Sequence, residues 1–483
     1  MKYAALAALL VLTATLTEGA VVCYYSSWST YREGNGKFEI EDIDPFLCTH
    51  AVYAFATLGD LNRITWADRY NDLCGETRNC GYQRFTALKS LNPNLKTLIS
   101  IGGWNDGSIK FSNMAGSALS RSIFVNSVVN FLETHNFDGL DMDWEYPTLR
   151  GGVPEDKENY AILLEELAAA LGSAGYLLTA TVSSNKEVID AAYNVPRVSA
   201  AVDAIHVMSF DFHGPWDNAT HHHTILYPYP GDVDNNAYLN VDFAINYWLD
   251  QGAAPSKLVM GTATFGRTWT LDSSSNTGMR APASQPGIAG PYTQSPGSLG
   301  YNELCERNLN SPWVVVNEPD MNEPYAYDLS LDNIWASFDD SASLVNKASY
   351  ALAKNLAGVA AWSIDTDDFS GACGSGPFPL IQTIKNTFTG MKSPQHKRLA
   401  KPRLPRFVAP KSSATDHCQQ PGNNPEPTDC TIYYKCDLEG GVYTEEIGYC
   451  PEDTLFNPKS LVCDRRFAVC AFGGDVCPND CRV

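Results

Sequence analysis

Residues 137–147 read FDGLDMDWEYP, and from residue 140 onward apolar and acidic residues alternate. Successive side chains of a β-strand point to opposite faces, so Asp141, Asp143 and Glu145 share one face and the residues between them share the other. Because that second face is apolar, the pattern predicts a strand in the core of the protein rather than a solvated acidic edge.

Seven further short runs are rich in Val, Ile, Leu, Ala and aromatic residues. Several of them are apolar on both faces, which is typical of parallel strands that are covered on both sides. Together with the acidic strand they predict eight strands, at Val21–Tyr25, Ala51–Thr57, Thr97–Ile101, Leu140–Asp143, Leu177–Val182, Ile205–Phe210, Leu258–Thr264 and Val359–Trp362.

Helical patterns separate most of these strands, for example at Arg121–His135, Asn159–Leu171, Val241–Asp250 and Ser343–Asn355. Eight strand–helix units over about 370 residues predict an α/β fold of the TIM (β/α)8 barrel type. The interval of about 268–340 is too long for one helix and predicts an inserted subdomain. Active sites of such barrels lie at the carboxyl ends of the strands, which places the acidic strand's end in the mouth of the barrel.

The three carboxylates of the acidic strand are crowded, and like charges raise the pKa of at least one of them. A general acid that works near neutral pH needs such a raised pKa. Glu145 is the outermost of the three, and Asp143 lies where it can share a proton with Glu145 or Asp141. A divalent cation site is the competing interpretation, because hard cations bind carboxylate oxygens.

The chain has 483 residues, with 34 Lys and Arg against 55 Asp and Glu, and a net charge of −21. Its hydrophobic content of 44% excludes wholesale disorder. The acidity argues against nucleic acid and against an anionic membrane surface as partners, so we expect neither.

The beginning of the chain predicts secretion. Residues 1–20 combine one lysine, a short apolar stretch and small residues at the end, as in a secretory signal peptide. The apolar stretch is shorter than the ~20 residues that a membrane span needs. Fourteen cysteines suit an oxidising compartment, so we expect a secreted, extracellular protein with disulfides.

The end of the chain differs in composition from the rest. Residues 391–414 contain seven Lys and Arg, four Pro and no acidic residue, which predicts a basic, Pro-rich linker. A plain spacer, a contact with the acidic domain and cleavage at Lys397-Arg398 remain open for it. Residues 415–483 hold eight cysteines, and so small a domain needs disulfides to stay folded. The segment lacks the close Cys-x-x-Cys pairs of a zinc site.

The pattern Asp138-x-x-Asp141-x-Asp143-x-Glu145 resembles the signature of glycoside hydrolase family 18 chitinases. Further segments resemble other strands of that family and its insertion, namely residues 24–25 with Trp28, 53–56 (YAFA), 100–105 (SIGGWN), 208–211 (MSFD), 290–305 and Trp362. The resemblance covers residues 21–390 and implies a TIM-barrel catalytic domain whose inserted subdomain is of the α+β type.

The resemblance implies retaining hydrolysis of β-1,4-linked N-acetylglucosamine polymers, with the substrate's own acetamido group as the nucleophile. Glu145 would protonate the glycosidic oxygen and later activate water. Asp143 would orient the acetamido N–H, Asp141 would tune Asp143, and Asp211 would be a further carboxylate beside the acetamido group. No cofactor and no metal is implied. We expect a monomer that acts on chitin and chito-oligosaccharides, with endo action favoured.

The resemblance also implies a set of substrate-binding residues, most of them aromatic side chains whose faces suit sugar rings. Trp362 would be the floor under the sugar at the cleavage point. The full set is Trp362, Trp104, Trp216, Tyr25, Trp28, Phe55, Tyr146, Met208, Phe210 and Arg267.

Three positions depart from the family pattern. Phe210 and Phe265 stand where Tyr is usual, and Ser295 stands where Glu is common. The hydroxyl that Phe210 lacks normally donates to the acetamido carbonyl, and one such donor is worth ~10²–10³ in rate. A chitin-binding lectin or matrix protein with weakened catalysis is therefore the alternative function. An endoglycosidase acting on N-glycans is a third, against which the chitin-type module described next counts.

Residues 415–471 resemble the peritrophin-A-type chitin-binding domain, which implies disulfides Cys418–Cys436, Cys430–Cys470 and Cys450–Cys463. Tyr443 and Phe456 are its candidate sugar-stacking residues, and the extra cysteines Cys477 and Cys481 can pair with each other. In the large domain the resemblance implies Cys23–Cys48 and Cys305–Cys373, which leaves Cys74 with Cys80. Asn218 begins an N-glycosylation sequon. His221, His222 and His223 are interpreted as plain surface residues.

Overall fold

Eight parallel strands form a closed barrel in the structure, which is a computed structural model. Neighbouring strands pair in chain order, and β1 pairs with both β8 and β2, so the barrel has no open edge. This confirms the TIM-barrel prediction. The strands are β1 (Ala20–Ser26), β2 (His50–Leu58), β3 (Lys96–Gly102), β4 (Gly139–Asp143), β5 (Leu177–Ser183), β6 (Ala204–Met208), β7 (Leu258–Ala263) and β8 (Gly358–Trp362).

The structure describes residues 19–390, apart from 76, 77, 312, 319 and 331, and beyond them only the backbone of five strands. The chain divides into two units, Met1–Pro405 and Arg406–Val483. Residues 1–18 of the predicted signal peptide and the whole predicted linker lie outside the described residues. Ala20, the last residue of the predicted signal peptide, pairs with Gly358 as the first residue of β1.

Helices cover the outside of the barrel, at Arg69–Asp72, Gly81–Thr86, Ile109–Ala115, Ala118–His135, Asp156–Ala174, Lys186–Ala192, Val195–Ala201, Val241–Asp250, Ser341–Ala353 and Pro379–Thr389. Asp156–Ala174 shows why they form. Its buried residues Tyr160, Leu164, Leu167 and Leu171 recur every three or four positions, and Gly175 ends the helix in the left-handed conformation. No helix of the described part of the chain is long and apolar enough to cross a membrane.

The strands bury side chains on both faces, as the apolar runs predict. One hydrophobic cluster lies inside the barrel and consists of Val22, Tyr24, Val52, Leu98, Val259 and Ala360. A much larger cluster lies between the strands and the surrounding helices. The predicted sixth strand was too long at its end, because the paired segment stops at Met208 and the chain turns into the mouth of the barrel.

The predicted insertion lies between β7 and β8 and is built around a six-stranded antiparallel sheet. It begins at Phe265, slightly before the predicted start, because its first strand follows β7 after one residue. Trp269, Leu271, Tyr325 and Trp335 form a core of its own. Its elements are Phe265–Thr270, Gln285–Pro286, Ser298–Gly300, helix Tyr301–Asn310, Val314–Val316, Tyr325–Asp328 and Ile334–Ser337.

The second unit contains a three-stranded antiparallel sheet and a separate pair of strands. The sheet consists of Gly422–Pro425, Ile432–Glu439 and Val442–Tyr449, and the pair of Thr454–Asn457 and Val462–Arg465. The predicted disulfides of this unit and the side chains of Tyr443 and Phe456 lie outside the described residues.

Three disulfides stabilise the first unit, Cys23–Cys48, Cys74–Cys80 and Cys305–Cys373. They are the pairs that the sequence implied for this part of the chain. Cys305–Cys373 joins the helix of the insertion to the loop after β8, whereas Cys74–Cys80 closes a short loop after β2.

We predict that removing Cys305–Cys373 destabilises the protein more than removing Cys74–Cys80. The first bridge spans 68 residues and the second spans 6, and the chain entropy that a disulfide removes from the unfolded state grows with loop length. Double Cys→Ser variants should lose roughly 4 and roughly 2 kcal/mol of unfolding free energy, respectively. Denaturant unfolding monitored by tryptophan fluorescence measures both, and equal losses would contradict the prediction.

Candidate active site

The carboxyl ends of the barrel strands and one side of the insertion enclose a cleft of about 1270 Å³. The insertion contributes Arg267 and Ser295 to its wall. Most of the residues that the sequence singled out line this cleft, namely Trp28, Phe55, Trp104, Asp143, Glu145, Tyr146, Met208, Phe210, Asp211, Trp216, Arg267, Ser295 and Trp362.

Strand β4 carries its carboxylates up the inside of the barrel, as the alternation predicts. Asp141 is 0% exposed, Asp143 3% and Glu145 8%, so the carboxylates emerge step by step toward the mouth. Met142 and Trp144 point the other way and pack against the helices. Burial this deep excludes the interpretation of these carboxylates as a solvated edge strand. Among the described residues these three carboxylates do not bring three ligand oxygens within 4.8 Å of one another.

Asp141 is held by hydroxyl donors from three other strands. Its Oδ2 accepts hydrogen bonds from Tyr24 on β1 at 3.1 Å, Ser100 on β3 at 2.8 Å and Thr181 on β5 at 2.9 Å. Its Oδ1 accepts one from Thr179 at 2.6 Å. Four donors satisfy a buried carboxylate and fix its position.

Asp143, one pleat higher, is in the opposite situation. Burial, together with the nearby charges of Glu145 and Asp141, raises the pKa of Asp143 well above its usual value. Its Oδ1 is buried and has no hydrogen-bond partner among the described residues. Since buried polar atoms are normally paired, this oxygen is suited to accept a hydrogen bond from a ligand.

Glu145 lies at the top of the row. Burial raises its pKa to about 7, and Asp211 pushes it the same way, while the hydrogen bond from Tyr146 and the charge of Arg150 oppose the rise. A carboxyl group with a pKa near 7 carries its proton in a large fraction of molecules at neutral pH. Glu145 can therefore donate a proton as a general acid.

Asp211, which follows β6, stays ionised opposite Glu145. Burial alone raises its pKa, but Arg267 and His223 outweigh burial and hold the pKa of Asp211 well below its usual range. Arg267 donates two hydrogen bonds to the carboxylate, at 2.6 and 2.7 Å. The mouth thus places a protonated acid opposite a permanent carboxylate, each set by its surroundings.

Aromatic rings form the floor and the rims of the cleft. Trp362 stacks on Phe55 with ring centroids 5.8 Å apart, and Trp28 lies 6.3 Å from Trp362. Trp104 and Trp216 stand on the rims, 60% and 57% exposed. Flat apolar faces beside carboxylates suit a ligand built of rings with apolar faces and polar edges, as sugars are.

Close approach of two strand ends brings Trp104 beside the carboxylates. Gly102 ends β3 with φ 113, and a Cβ there would lie 2.1 Å from the carbonyl oxygen of Asp143. Only glycine permits this contact between the ends of β3 and β4. The chain then turns directly into the short helix that begins at Trp104.

Two sequence predictions about site residues are wrong. Tyr25 does not line the cleft, because its neighbour Tyr24 points inward and the alternation of β1 turns Tyr25 toward the helices, where it stacks on Phe85 at 5.8 Å. The histidines at 221–223 are buried rather than on the surface: His221 contacts Asp232 at 3.3 Å, and His222 contacts Glu318 at 2.8 Å.

Sequence reasoning missed four residues around the carboxylates. Tyr24, Thr181 and His206 line the cleft, and the Tyr24 hydroxyl oxygen lies 2.7 Å from Thr181 Oγ1 and 2.6 Å from His206 Nδ1. The strand alternation that placed Asp141 inward could have found Tyr24 and Thr181. Arg150, whose guanidinium contacts the backbone of Trp104 and Glu145, gives no sequence signal because it lies in a loop.

Phe210 and Phe265 bring no phenolic hydroxyl to their side of the cleft. The rings of Phe210 and Phe265 meet edge to face at 6.0 Å, and both occupy positions where the sequence pattern led us to expect tyrosine. Ser295, the third position that departs from the family pattern, also lines the cleft.

Asn218, which begins the N-glycosylation sequon, is exposed and lies two residues after Trp216 in the chain.

We predict that Glu145→Gln stabilises the protein at alkaline pH. A carboxyl whose pKa rises from 4.5 to about 7 on folding binds its proton more tightly when folded. The contribution of Glu145 to the unfolding free energy is therefore present below its pKa in the unfolded state, and it is lost as the pH rises through its pKa in the folded state. Between pH 4 and pH 8 the unfolding free energy of the variant should gain on that of the wild type by on the order of 3 kcal/mol.

Urea unfolding at several pH values measures this difference. Glu133→Gln, which changes an exposed glutamate on a barrel helix, is the control and should follow the wild type. If the unfolding free energies of Glu145→Gln and the wild type change in parallel across this pH range, the pKa of Glu145 is not raised on folding and the prediction fails.

Comparison with known proteins places the chain among glycosidases. The model of the glycosyl hydrolases family 18 matches residues 20–367, and that of the chitin binding Peritrophin-A domain matches residues 418–471. Chitotriosidase-1 of Mus musculus is 38% identical over 466 residues, which cover 92% of this chain and 94% of that protein.

Solved structures give the same result. The Ostrinia furnacalis Group IV chitinase in complex with allosamidin is 42% identical, with a TM-score of 0.74, and the match covers 77% of this chain and 99% of that one. Human YKL-39, described as a pseudo-chitinase with retained chitooligosaccharide binding properties, is 38% identical, with a TM-score of 0.69 over 76% of this chain and 99% of that one. A match that spans the barrel, its insertion and the acidic strand shows that this chain belongs to glycosyl hydrolase family 18.

Proposed function

We propose that the protein hydrolyses β-1,4-linked N-acetylglucosamine in chitin and chito-oligosaccharides, with retention and with help from the substrate's acetamido group. The observation that carries the proposal is the contrast on β4. Glu145 has a pKa of about 7, and beside it the buried Oδ1 of Asp143 has no partner among the described residues. A proton donor and a free acceptor side by side are what such a substrate requires.

In the first step Glu145 gives its proton to the glycosidic oxygen, and the bond from C1 to that oxygen breaks. The acetamido carbonyl oxygen forms a bond to C1 from the other side, which gives a cyclic oxazolinium ion and a free leaving sugar. The Oδ1 of Asp143 accepts the acetamido N–H and holds the group in line. No second nucleophilic carboxylate is needed.

In the second step a water molecule attacks C1 while the Glu145 carboxylate takes its proton. The bond from C1 to the acetamido oxygen breaks, which restores the acetamido group and regenerates the acid. Both attacks invert C1, and the net result is retention. Asp211 lies across the mouth with its charge held by Arg267, where a negative charge favours the cationic intermediate. The hydroxyl donors Ser100, Thr179 and Thr181 hold the Asp141 carboxylate in place below Asp143.

The second candidate is a chitin-binding protein with little or no turnover. Phe210 favours it, because no hydroxyl at this position aligns the acetamido carbonyl. The solved YKL-39 structure is described as a pseudo-chitinase with retained chitooligosaccharide binding, so loss of turnover within this fold has a precedent. Glu145 and Asp143 favour the enzyme, since a pure binding site has no use for a costly pair of buried carboxyl groups.

We predict that Glu145→Gln abolishes turnover of a soluble chito-oligosaccharide while its binding persists. We also predict that Phe210→Tyr raises kcat, because the added hydroxyl can donate to the acetamido carbonyl; one aimed donor is worth ~10²–10³ at most. Product release from chitotetraose measures turnover, and calorimetric titration measures binding.

Phe212→Tyr is the matched control for the hydroxyl, because Phe212 is buried two residues further along the same loop. It should leave kcat unchanged or lower it. A wild type without turnover that still binds the oligosaccharide would establish the binding protein instead of the enzyme.

The second unit serves, in our proposal, as an anchor on insoluble chitin. The match to the chitin binding Peritrophin-A domain supports this role, and a linker over about residues 391–414 keeps the barrel at a high effective concentration near the polymer. We further propose that the protein is secreted, acts as a monomer and carries a glycan at the exposed Asn218.

We predict that Tyr443→Ala and Phe456→Ala lower retention on chitin beads, because each removes an aromatic ring, the kind of group that stacks on sugars. Turnover of soluble chitotetraose should not change, because that substrate needs only the barrel cleft. Pull-down on beads and the soluble assay, run on the same samples, separate the two effects. Equal losses in both assays would contradict an anchoring role.

A further inference from the structure

Arg150 lies in the loop that follows Glu145 and contacts a rim of the cleft from behind. Its guanidinium carbon lies 3.7 Å from the centre of the Trp104 ring. Trp104 lines the cleft and is 60% exposed, whereas Arg150 is not among the residues that line it. One face of the indole carries the guanidinium, which leaves the opposite face for a ligand.

The same guanidinium connects the backbone at Trp104 to the backbone at Glu145. Its Nη1 donates to the backbone carbonyl oxygen of Trp104 at 2.7 Å and to that of Glu145 at 3.0 Å. A charged donor that bridges two carbonyl groups makes strong hydrogen bonds. One side chain therefore contacts the ring, the backbone that carries the ring and the backbone that carries Glu145.

The loop is folded specifically to bring Arg150 back. Thr148, Arg150 and Gly151 adopt left-handed backbone conformations, with φ of 69, 53 and 94. For residues other than glycine this conformation is unfavourable, and it persists where surrounding contacts enforce it. The guanidinium bonds to Trp104 and Glu145 hold this loop together with two turn hydrogen bonds, from the Leu149 N–H to the Tyr146 carbonyl and from the Gly152 N–H to the Leu149 carbonyl.

We propose that Arg150 is a positioning residue that clamps Trp104 as a one-faced sugar platform and ties this platform to the backbone of Glu145. An exposed tryptophan at the start of a short helix would otherwise lose side-chain freedom on binding, and a preformed platform avoids that cost. The proposal rests on the proposed function for the identity of the ligand, an N-acetylglucosamine oligomer.

The charge of Arg150 has a second consequence, at Glu145. It lowers the pKa of that carboxyl against the upward effect of burial. The groups that face Glu145 are Asp143 on β4, Asp211 after β6, Tyr146 and Arg150 in the loop after β4, and Tyr193 after β5. Arg150 is the only cation among them, so its removal raises the pKa of Glu145 and keeps the acid protonated to higher pH.

A double-mutant cycle tests the platform. Chitohexaose binding is titrated calorimetrically in the full chain carrying Glu145→Gln, alone and combined with Arg150→Gln, Trp104→Ala or both. Arg150→Gln should weaken binding about threefold or more, in line with a lost cation–π contact. It should have no further effect once Trp104 is alanine, because Arg150 acts through the ring. Additive losses would overturn the proposal.

Arg307→Ala is the control, since Arg307 packs on Trp313 at 5.4 Å in the insertion and lines no part of the cleft. It should leave chitohexaose affinity unchanged, and a loss equal to that of Arg150→Gln would mean a general stability effect.

The pH profile of kcat/KM for the active chain tests the link to the acid. Arg150→Gln should shift the alkaline limb to higher pH, while Arg150→Lys, which keeps the charge but not the planar stack, should leave the limb in place and still weaken binding. An unshifted limb in Arg150→Gln would overturn the electrostatic part. A wild type without any turnover would refute the proposed function, whereas the binding cycle would still decide the role of Arg150.

Discussion

The Asp141 carboxylate at the centre of the barrel is the interaction on which the site depends. Hydroxyls from three other strands saturate it, at distances of 2.6 to 3.1 Å. Ser100, Thr179 and Thr181 lie on the two strands that pair with β4, whereas Tyr24 on β1 reaches Asp141 from across the barrel, so the full set of donors requires the closed barrel. A buried charge in this position would otherwise be very unfavourable, so the fold and the acidic strand require each other.

The carboxyl groups above Asp141 follow from this arrangement. Asp141 uses the available donors, and Asp143 is left buried beside a like charge with one oxygen unpaired. Glu145 is then held near neutral pKa by burial, while Asp211 is ionised through Arg267. Asp143 and Glu145 thus have raised pKa values and Asp211 a lowered one, because each has different neighbours, and this contrast places a proton donor opposite an ionised carboxylate.

The loops and the insertion determine what the mouth can bind. Trp362 and Phe55 come from strands and form the floor, whereas Trp104 begins a short helix, Trp216 lies in a loop, and each packs against an arginine. Arg267 lies 5.3 Å from the Trp216 ring while it binds Asp211, and Arg150 relates Trp104 to Glu145 in a similar way. On one rim Arg267 joins Trp216 to the carboxylate of Asp211, and on the other Arg150 joins Trp104 to the backbone carbonyl of Glu145.

Periodicity in the sequence was sufficient for the barrel and for the acidic strand. Alternation with period two placed Asp141, Asp143 and Glu145 on the inner face, and the helix Val241–Asp250 has the predicted bounds. These features are local, since the face on which a side chain lies depends on the pleat of its own strand or the pitch of its own helix.

What depends on partners distant in the chain was decided by the tertiary structure alone. The alternation of β1 puts Tyr24 and Tyr25 on opposite faces, and the pairing of β1 with β8 and β2 in the closed barrel decides that the face of Tyr24 points inward. The histidines at 221–223 are buried because the insertion, whose Glu318 and Glu323 contact them, folds over their loop. Arg150 reaches Trp104 only because Gly102 lets the ends of β3 and β4 meet. The sequence by itself thus determined which chemical groups enter the barrel, and packing between distant segments determined their pKa values and their neighbours, because both depend on what surrounds a group in space rather than along the chain.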